Sequence, residues 1–330
     1  MDFLQTIYNE LISFFGIDGL LKMFQSGDYS SLRTLSGVLN LLYPVIPLLL
    51  LIEIIRVAIN KEFKMVQFKL TFIIYILNRV ISRFISFGLV GFAIGYFTKF
   101  AIFKTSFTWY WLIYGYIIWE FSHFIYHYFA HKVRLFWCLH STHHAPEHMN
   151  LSVSFAHFFL EAPYADIIRT TICIVMGIDP PLLFFIMFID GFWGNFIHIG
   201  ESVLKDARLG FLNKFILTPS HHRVHHARNP LYMDTNFCNL LNIWDRIFKT
   251  YQPEKTTMPP EYGITRELNQ NNIMDVYFGE IALLFMDVVK APGIKNKILY
   301  IFMPPGWSHT GEHKTAAVVK KQFLEQNPAS

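Results

Sequence analysis

Apolar stretches of membrane-spanning length dominate this sequence. They lie near residues 39–59, 70–98, 107–129 and 164–198. A helix needs about 20 mostly apolar residues to cross a bilayer, and a backbone in lipid must satisfy its own hydrogen bonds, so such runs fold as helices. The last run is interrupted by Asp179-Pro180-Pro181, a turn signal that predicts a helical hairpin. The sequence therefore predicts an all-α, polytopic integral membrane protein.

The apolar runs divide the chain into three predicted segments. Residues 1–38 mix acidic and apolar residues, which is typical of an amphipathic helix at the membrane surface and unlike the basic start of a signal peptide. Residues 39–255 hold the predicted spans and form the membrane domain. Residues 256–330 begin with a polar, proline-marked connector and are expected to form an interfacial or soluble C-terminal tail.

The composition agrees with a membrane protein and disfavours several other classes. Hydrophobic residues make up 53% and charged residues only 16%, against about 25% charged residues in soluble domains. The formal net charge is +4, but the basic residues are scattered beside apolar runs and no nucleic-acid motif is present, so no nucleic-acid partner is expected. The three cysteines have no paired spacing, which argues against disulfides and thiolate metal sites.

Basic residues in short loops predict the orientation. Cytoplasmic loops carry an excess of lysine and arginine, and such residues follow the first and third apolar runs: Arg56, Lys61, Lys64, Lys69, Lys132 and Arg134. Lys99 and Lys104 are exceptions, on a loop expected outside. The prediction is a multi-pass protein with its histidine-rich region facing the cytoplasm.

Thirteen of the fifteen histidines fall within residues 123–226, most of them at spacings used for metal binding. His127 and His131 are four residues apart, which places both on one face of a helix. The spacing H-x-x-H-H occurs at His140, His143 and His144, and again at His222, His225 and His226. Residues at i, i+3 and i+4 are neighbours on a helix surface. Each copy therefore predicts three ligands directed at one point, and eight patterned imidazoles predict two metal ions.

The residue types narrow the choice of metal ion and leave three possible classes of function. Imidazole suits zinc, copper, iron and nickel, and burying so many imidazoles costs free energy unless each ring is satisfied. A redox-active pair of ions in a membrane indicates oxygen chemistry on a lipid. A zinc-dependent membrane lipid hydrolase is the alternative, although catalytic zinc normally takes about three protein ligands. A haem or metal transporter is the third, although polar residues such as Thr142 and Arg223 lie beside the histidines.

The order of the motifs resembles a known family. HYFAH, LHSTHH and HHRVHH, with apolar runs before and between them, resemble the membrane-bound fatty acid hydroxylase/sterol desaturase superfamily. The stretch LTPSHHRVHHARNPLYMDTNFCNLLNIWDRIFKTYQPE is similar to the C-terminal signature of sterol desaturase family proteins, in the branch that includes alkylglycerol monooxygenase. The resemblance covers about residues 40–255.

The resemblance implies a set of site residues. It makes the eight patterned histidines metal ligands and adds His198, which stands alone in GNFIHIGE and is assigned by the family only. It also places Glu120 and Asn236 behind the ligands, where they would orient them. His123 occupies a position that is aromatic in the family and is expected beside the ligands rather than among them. No catalytic side chain other than the ligands is implied.

The resemblance also implies cofactors and partners. Members of the family are di-iron enzymes that hydroxylate, desaturate or cleave lipids with dioxygen and external electrons. It therefore predicts two Fe²⁺ ions, O₂ and a lipid substrate from the bilayer. A separate electron donor is expected, either a ferredoxin-type protein, a small haem protein or a reduced pterin, and tetrahydrobiopterin is the candidate pterin from the branch.

Overall fold

A computed structural model describes residues 3–14, 17–30, 37, 42, 44–59 and 65–328 of the chain. Within these residues the regular structure is helical, and the extended pairing is limited to the isolated bridges Ile216–Leu241 and Ala227–Tyr262. The all-α class is confirmed for this part of the chain. The chain separates into two compact units, residues 1–63 and 64–330.

The first unit contains three helices in its described residues. They are α1 (Phe3–Phe14), α2 (Ile17–Ser26) and α3 (Val45–Ile59). Helices α1 and α2 pack against each other. Helix α3 covers most of the apolar run predicted at 39–59, and the start of that run lies largely outside the described residues.

The second unit is built around one central helix, α5. Its helices are α4 (Met65–Phe97), α5 (Trp109–Lys132), α6 (Arg134–His144), α7 (Glu161–Val175), α8 (Pro180–Phe196), α9 (Pro219–His225), α10 (Ile243–Ile247), α11 (Ile273–Lys290), α12 (Gly293–Phe302) and α13 (Ala316–Gln326). Helix α5 packs against α6, α7, α8 and α10, while α4 packs along α7. The longest helices thus gather around the segment that carries the first histidine pair.

An apolar core joins α5 to the hairpin formed by α7 and α8. Trp119 of α5 is 1% exposed and packs with Cys173, Ile174, Leu183 and Ile186. Burying large apolar side chains stabilises a fold by about 1.5–3 kcal/mol each. This core fixes α5, so that its opposite end holds His127 and His131 in place.

Among the described residues, Ile81–Phe100 is the stretch that is both long and apolar enough to cross a membrane. Its surface fits a lipid environment, because the rings of Phe84 and Phe87 are 83% and 74% exposed. Helix α8 is apolar but shorter. Helix α5 carries Glu120 and three histidines, which lowers its hydropathy. The multi-pass arrangement and the segment boundaries at 38 and 255 stay predictions.

The C-terminal helices pack against the histidine-bearing helix α6. Helices α11 and α12 both contact α6, and Arg134 at its start forms an ion pair of 2.6 Å with Asp287 of α11. The hydroxyl of Tyr277 on α11 accepts a hydrogen bond of 2.8 Å from the backbone of Phe159 and donates one of 3.0 Å to Asn78. These contacts connect α4, α6 and α11.

Gly177 in the hairpin turn is a position where we expect a side chain to be costly. Its φ is +82°, and a Cβ there would meet the backbone carbonyl of Phe103. A non-glycine residue in left-handed backbone costs about 1–3 kcal/mol, so Gly177→Ala should destabilise the protein by at least that much in thermal unfolding in detergent. Gly88→Ala on α4 is the control, because a Cβ at Gly88 meets nothing within 4 Å. Equal stability of the two variants would contradict this reading of the turn.

Candidate metal centre

Three helices and one turn bring nine buried histidines together. Helix α5 carries His127 and His131, α6 carries the second motif, and α9 with its C-terminal cap carries the third. His198 lies just after the end of α8. All nine side chains are at most 6% exposed. These are the nine histidines that the sequence and the family resemblance single out.

The histidines form two groups in which one nitrogen of each ring lies within 4.8 Å of the others. The five-histidine cluster consists of His127, His131, His140, His144 and His225. The four-histidine cluster consists of His143, His198, His222 and His226. The clusters adjoin, because the rings of His144 and His226 stack with their centres 4.4 Å apart.

The prediction that each H-x-x-H-H motif directs three ligands at one point is wrong. His140 and His144 belong to the five-histidine cluster, whereas His143 between them belongs to the other. The third motif does the reverse, since His222 and His226 belong to the four-histidine cluster and His225 to the five-histidine cluster. The cause is helical geometry: consecutive residues point about 100° apart, so the i+3 and i+4 rings diverge to opposite sides of the helix face.

Ring nitrogens converge on one another in both clusters. In the five-histidine cluster, Nε2 of His127 and Nε2 of His144 each lie 3.1 Å from Nε2 of His140. In the four-histidine cluster, Nε2 of His198 lies 3.2 Å from Nε2 of His143 and 2.9 Å from Nε2 of His222. Converging lone pairs repel one another unless a cation lies between them. The donor set fits a first-row transition metal ion in each cluster.

Two further nitrogens support this fit. Nε2 of His131 and Nε2 of His225 are buried and make no hydrogen bond within the part of the chain that is described. An unsatisfied buried polar atom costs about 1–3 kcal/mol. Burial, reinforced by neighbouring histidines, also holds the pKa of His144, His225 and His226 well below the usual value. Neutral rings with free Nε2 atoms are the form that binds metal.

Backbone carbonyls fix the orientation of three of the rings. Nδ1 of His127 donates to the carbonyl of Phe237 over 2.8 Å, and Nδ1 of His225 donates to the carbonyl of Thr235 over 2.8 Å. Nδ1 of His198 donates to the carbonyl of Gly194 over 2.6 Å. A hydrogen bond at Nδ1 leaves the lone pair on Nε2. The three rings are therefore held as Nε2 donors.

Two carboxylates that the sequence reasoning missed orient other rings. Glu161 lies 2.5 Å from Nδ1 of His140 and 2.8 Å from Nδ1 of His157, whose ring stacks on His143. Burial alone would raise the pKa of Glu161, but His157 and His140 hold it below its usual range. Asp234 lies 3.4 Å from Nδ1 of His131 and 2.5 Å from the ammonium of Lys132. Glu161 follows His157 by four residues, a helix spacing, but neither acid has such a spacing to the clustered histidine that it contacts.

The three residues predicted to lie behind the ligands surround the clusters in different ways. Glu120 is fully buried and accepts backbone N–H groups from residues 239–241 at 2.6–3.0 Å. His123 contacts His127 edge to face, and its Nδ1 lies 3.9 Å from Asp190. Asn236 donates to the carbonyls of His221 and Gln252. Glu120 and Asn236 thus act on the loop whose carbonyls hold His127 and His225.

That loop follows α9 and contains two unusual backbone conformations. Asp234 and Asn236 have φ of +56° and +57°, a left-handed region that asparagine and aspartate tolerate better than most residues. Because the left-handed conformation occurs at every second residue here, the carbonyls of Thr235 and Phe237 both point toward the histidines. Asp245 secures the loop from outside by accepting the backbone N–H groups of Phe237 and Cys238, both at 2.8 Å.

Comparison with known proteins finds a family match over part of the chain. A model of the fatty acid hydroxylase family matches residues 112–250, which include all nine histidines. Alkylglycerol monooxygenase of Xenopus tropicalis is 33% identical over 192 residues, which are 57% of this chain and 40% of that protein. The Danio rerio protein of the same name is 34% identical over 197 residues, 57% of this chain and 41% of that protein.

A bacterial relative matches a shorter stretch of the chain. Ornithine lipid hydroxylase OlsE of Rhizobium tropici is 25% identical over 154 residues, 47% of this chain and 45% of that protein. The chain spans less than half the length of these curated relatives. No solved structure matches the chain. The histidine motifs, the family match over residues 112–250 and these relatives make this region of the chain similar to the fatty acid hydroxylase/sterol desaturase superfamily.

Proposed function

We propose that this chain is a membrane-bound di-iron oxygenase that hydroxylates, desaturates or oxidatively cleaves a lipid, using dioxygen and external electrons. The observation that carries the proposal is the pair of adjoining clusters of five and four buried histidines. The family match supports lipid oxygenation in general. Relatives named alkylglycerol monooxygenase make ether-linked glycerol lipids the first substrates to test.

The proposed iron ligands are the nine clustered histidines, with one ion in each cluster. Iron bound there would supply the redox chemistry that activates dioxygen for attack on a C–H bond. The chain itself holds the donor nitrogens neutral and oriented, through Glu161, Asp234 and the carbonyls of the 234–241 loop. Inserting one oxygen atom into a C–H bond while the other leaves as water consumes two electrons and two protons, so a separate donor is required.

A cavity among the long helices offers a route for the lipid. This helix-side cavity has a volume of about 350 Å³ and is bordered by α4, α5, α7 and α8, including Tyr75, Ala162 and Ala165, and by Phe155 from the segment before α7. Five of the clustered histidines also line it: His127, His140, His143, His198 and His222. We propose that a lipid chain enters here from the bilayer and presents a C–H bond beside both clusters.

Metal analysis combined with lipid assays tests the proposed function. The protein purified from membranes is expected to hold two irons per chain and to convert alkylglycerols, or another lipid, only when dioxygen and reductant are present. Stable zinc occupancy with lipid hydrolysis in the absence of oxygen would instead establish the zinc hydrolase alternative. Comparing the lipids of cells with and without the gene would identify the substrate if alkylglycerols are not converted.

Replacing Glu161 by glutamine should weaken metal binding without removing a proposed ligand. The change takes away the negative charge that faces His140 and His157, and loss of such a partner costs about 10–100-fold in metal affinity. Chelator competition measures the effect. Asp166→Asn is the matched control on the same helix, since Asp166 pairs with Arg169 and contacts no clustered histidine. Equal affinities in the two variants would show that Glu161 does not support the site.

The proposed cytoplasmic orientation makes a topological prediction. Lys132 and Arg228 both lie near Asp234, the first through an ion pair and the second on the same cavity wall. Single cysteines at these two positions should therefore react with a membrane-impermeant thiol reagent from one face only, the cytoplasmic one. Labelling of the two positions from opposite faces would exclude a single shared site.

A further inference from the structure

A second cavity reaches the clusters from the side of the C-terminal helices. This C-terminal cavity has a volume of about 240 Å³ and lies between the histidines and segments around residues 263–266 and 304–316. It is lined by the remaining four clustered histidines, His131, His144, His225 and His226. Among the described residues, none borders both this cavity and the helix-side cavity. The nine histidines thus present separate faces to two separate spaces.

The charges that line the C-terminal cavity do not balance. Its carboxylates already have cation partners, since Asp234 pairs with Lys132 and Glu280 with Arg266, both at 2.5 Å. Arg134 at its edge pairs with Asp287. Arg228 and Lys314 also line the cavity, and their side chains have no ion-pair partner within the described residues. Two cations therefore stand without a direct ion pair, although the carboxylate of Glu147 also lies beside Gly263 near Arg228. The lining as a whole carries four cations against two carboxylates, next to the clustered histidines.

The backbone holds both unmatched cations at the cavity wall. The amide of Arg228 donates to the carbonyl of Glu261 over 2.7 Å, and the amide of Lys314 donates to the carbonyl of Gly306 over 2.8 Å. The side chains can move, but their Cα positions are set by contacts between distant segments. A preformed concave space with convergent charges is the ordinary form of a small-molecule site.

We propose that the C-terminal cavity binds a small, water-soluble anion, separately from the lipid. The charges of Arg228 and Lys314 favour an anion, and a volume of about 240 Å³ suits a small molecule. The proposed function, on which this use of the site rests, gives such an anion a route to the clustered histidines that the lipid does not occupy.

Charge-selective labelling tests the cavity without iron, lipid or turnover. The three native cysteines are buried, so Thr265→Cys places one accessible thiol on the cavity wall. We expect it to react about tenfold faster with an anionic methanethiosulfonate than with a cationic one, relative to an exposed reference thiol made by Asn271→Cys. Added salt should reduce the preference. A ratio equal to that of the reference, or a cationic preference, would overturn the proposal.

Variants and competitors identify the source of the selectivity and the type of anion. Arg228→Ala combined with Lys314→Ala should abolish the preference at residue 265, whereas Lys295→Ala on α12 should leave it unchanged. A thiol in the helix-side cavity, made by Ala162→Cys, should show no anionic preference. Inorganic phosphate should slow labelling at residue 265. Protection by phosphatidylglycerol vesicles but not by phosphate would assign the cavity to a lipid headgroup and contradict a soluble ligand. Because the assay does not depend on oxygenation, its failure and that of the proposed function are distinguishable.

Discussion

Replacing either His143 or His225 by alanine is expected to reduce oxygen-dependent lipid turnover to background rather than to half. The two residues belong to different clusters, His143 to the group of four and His225 to the group of five. If each cluster holds one ion of a coupled pair, loss of a donor in either one disables the reaction, because dioxygen reduction at such a pair uses both ions. Iron content per chain and lipid product are the measurements.

The controls for this prediction separate loss of chemistry from loss of protein. His309 lies outside both clusters and contacts Tyr300, so His309→Ala should keep its iron and its product. The helical core around Trp119 contains none of the nine histidines, and all variants should accumulate in membranes to similar levels on blots. Near-normal turnover of His143→Ala or His225→Ala would show that the clusters are not the di-iron site.

Replacing Asp245 by alanine is expected to cause the largest loss of stability. Asp245 is fully buried, accepts the backbone N–H groups of Phe237 and Cys238, and accepts the hydroxyl of Thr250 at 2.6 Å. Hydrogen bonds to a charged group contribute about 1.5–3 kcal/mol each, so the change should cost about 4 kcal/mol or more. The Phe237 carbonyl would also lose its position against His127, and metal affinity should fall with stability.

Thermal unfolding in detergent and metal titration measure this effect. Asp206→Ala is the matched control, because that carboxylate is 73% exposed and its ion pair with Arg208 is long at 3.6 Å. Exposed pairs of this kind contribute about 0–1 kcal/mol. If Asp245→Ala unfolds at the same temperature as Asp206→Ala, the loop is not held by the Asp245 carboxylate.

The sequence predicts the helices and the set of clustered histidines well. It does not predict how these histidines are divided between the two clusters. The i, i+4 spacing of His127 and His131 places both in one cluster, as a helix requires. The same rule links His140 with His144 and His222 with His226. The pattern also predicts that His143 and His225, the middle histidines of the two motifs, join these pairs. A ring on one edge of the helix face can, however, reach either of the two adjacent clusters. The tertiary packing of α6 and α9 decides which.

The contacts of the supporting residues with the clustered histidines could not be found by spacing. Glu161 is 21 residues from His140 along the chain, and the two meet because α5 packs against both α6, which carries His140, and α7, which carries Glu161. The carbonyls of Thr235 and Phe237 carry no residue signature, and their orientation depends on the backbone at Asp234 and Asn236. The C-terminal cavity likewise needs residues from distant segments that read as a polar connector and a tail. Such features arise from chain folding rather than local pattern.

His143 and His225 each belong to a different cluster from the other two histidines of their motif, and this has a consequence for how metal is taken up. Helices α6 and α9 each give donors to both clusters, so an ion that fixes the rotation of these helices in one cluster also places donors for the other. Binding of the first ion then includes most of the entropic cost of ordering the two helices, so the second ion should bind more tightly. We expect metal titrations to be sigmoidal, with half-loaded protein scarce and with both ions released together on chelation.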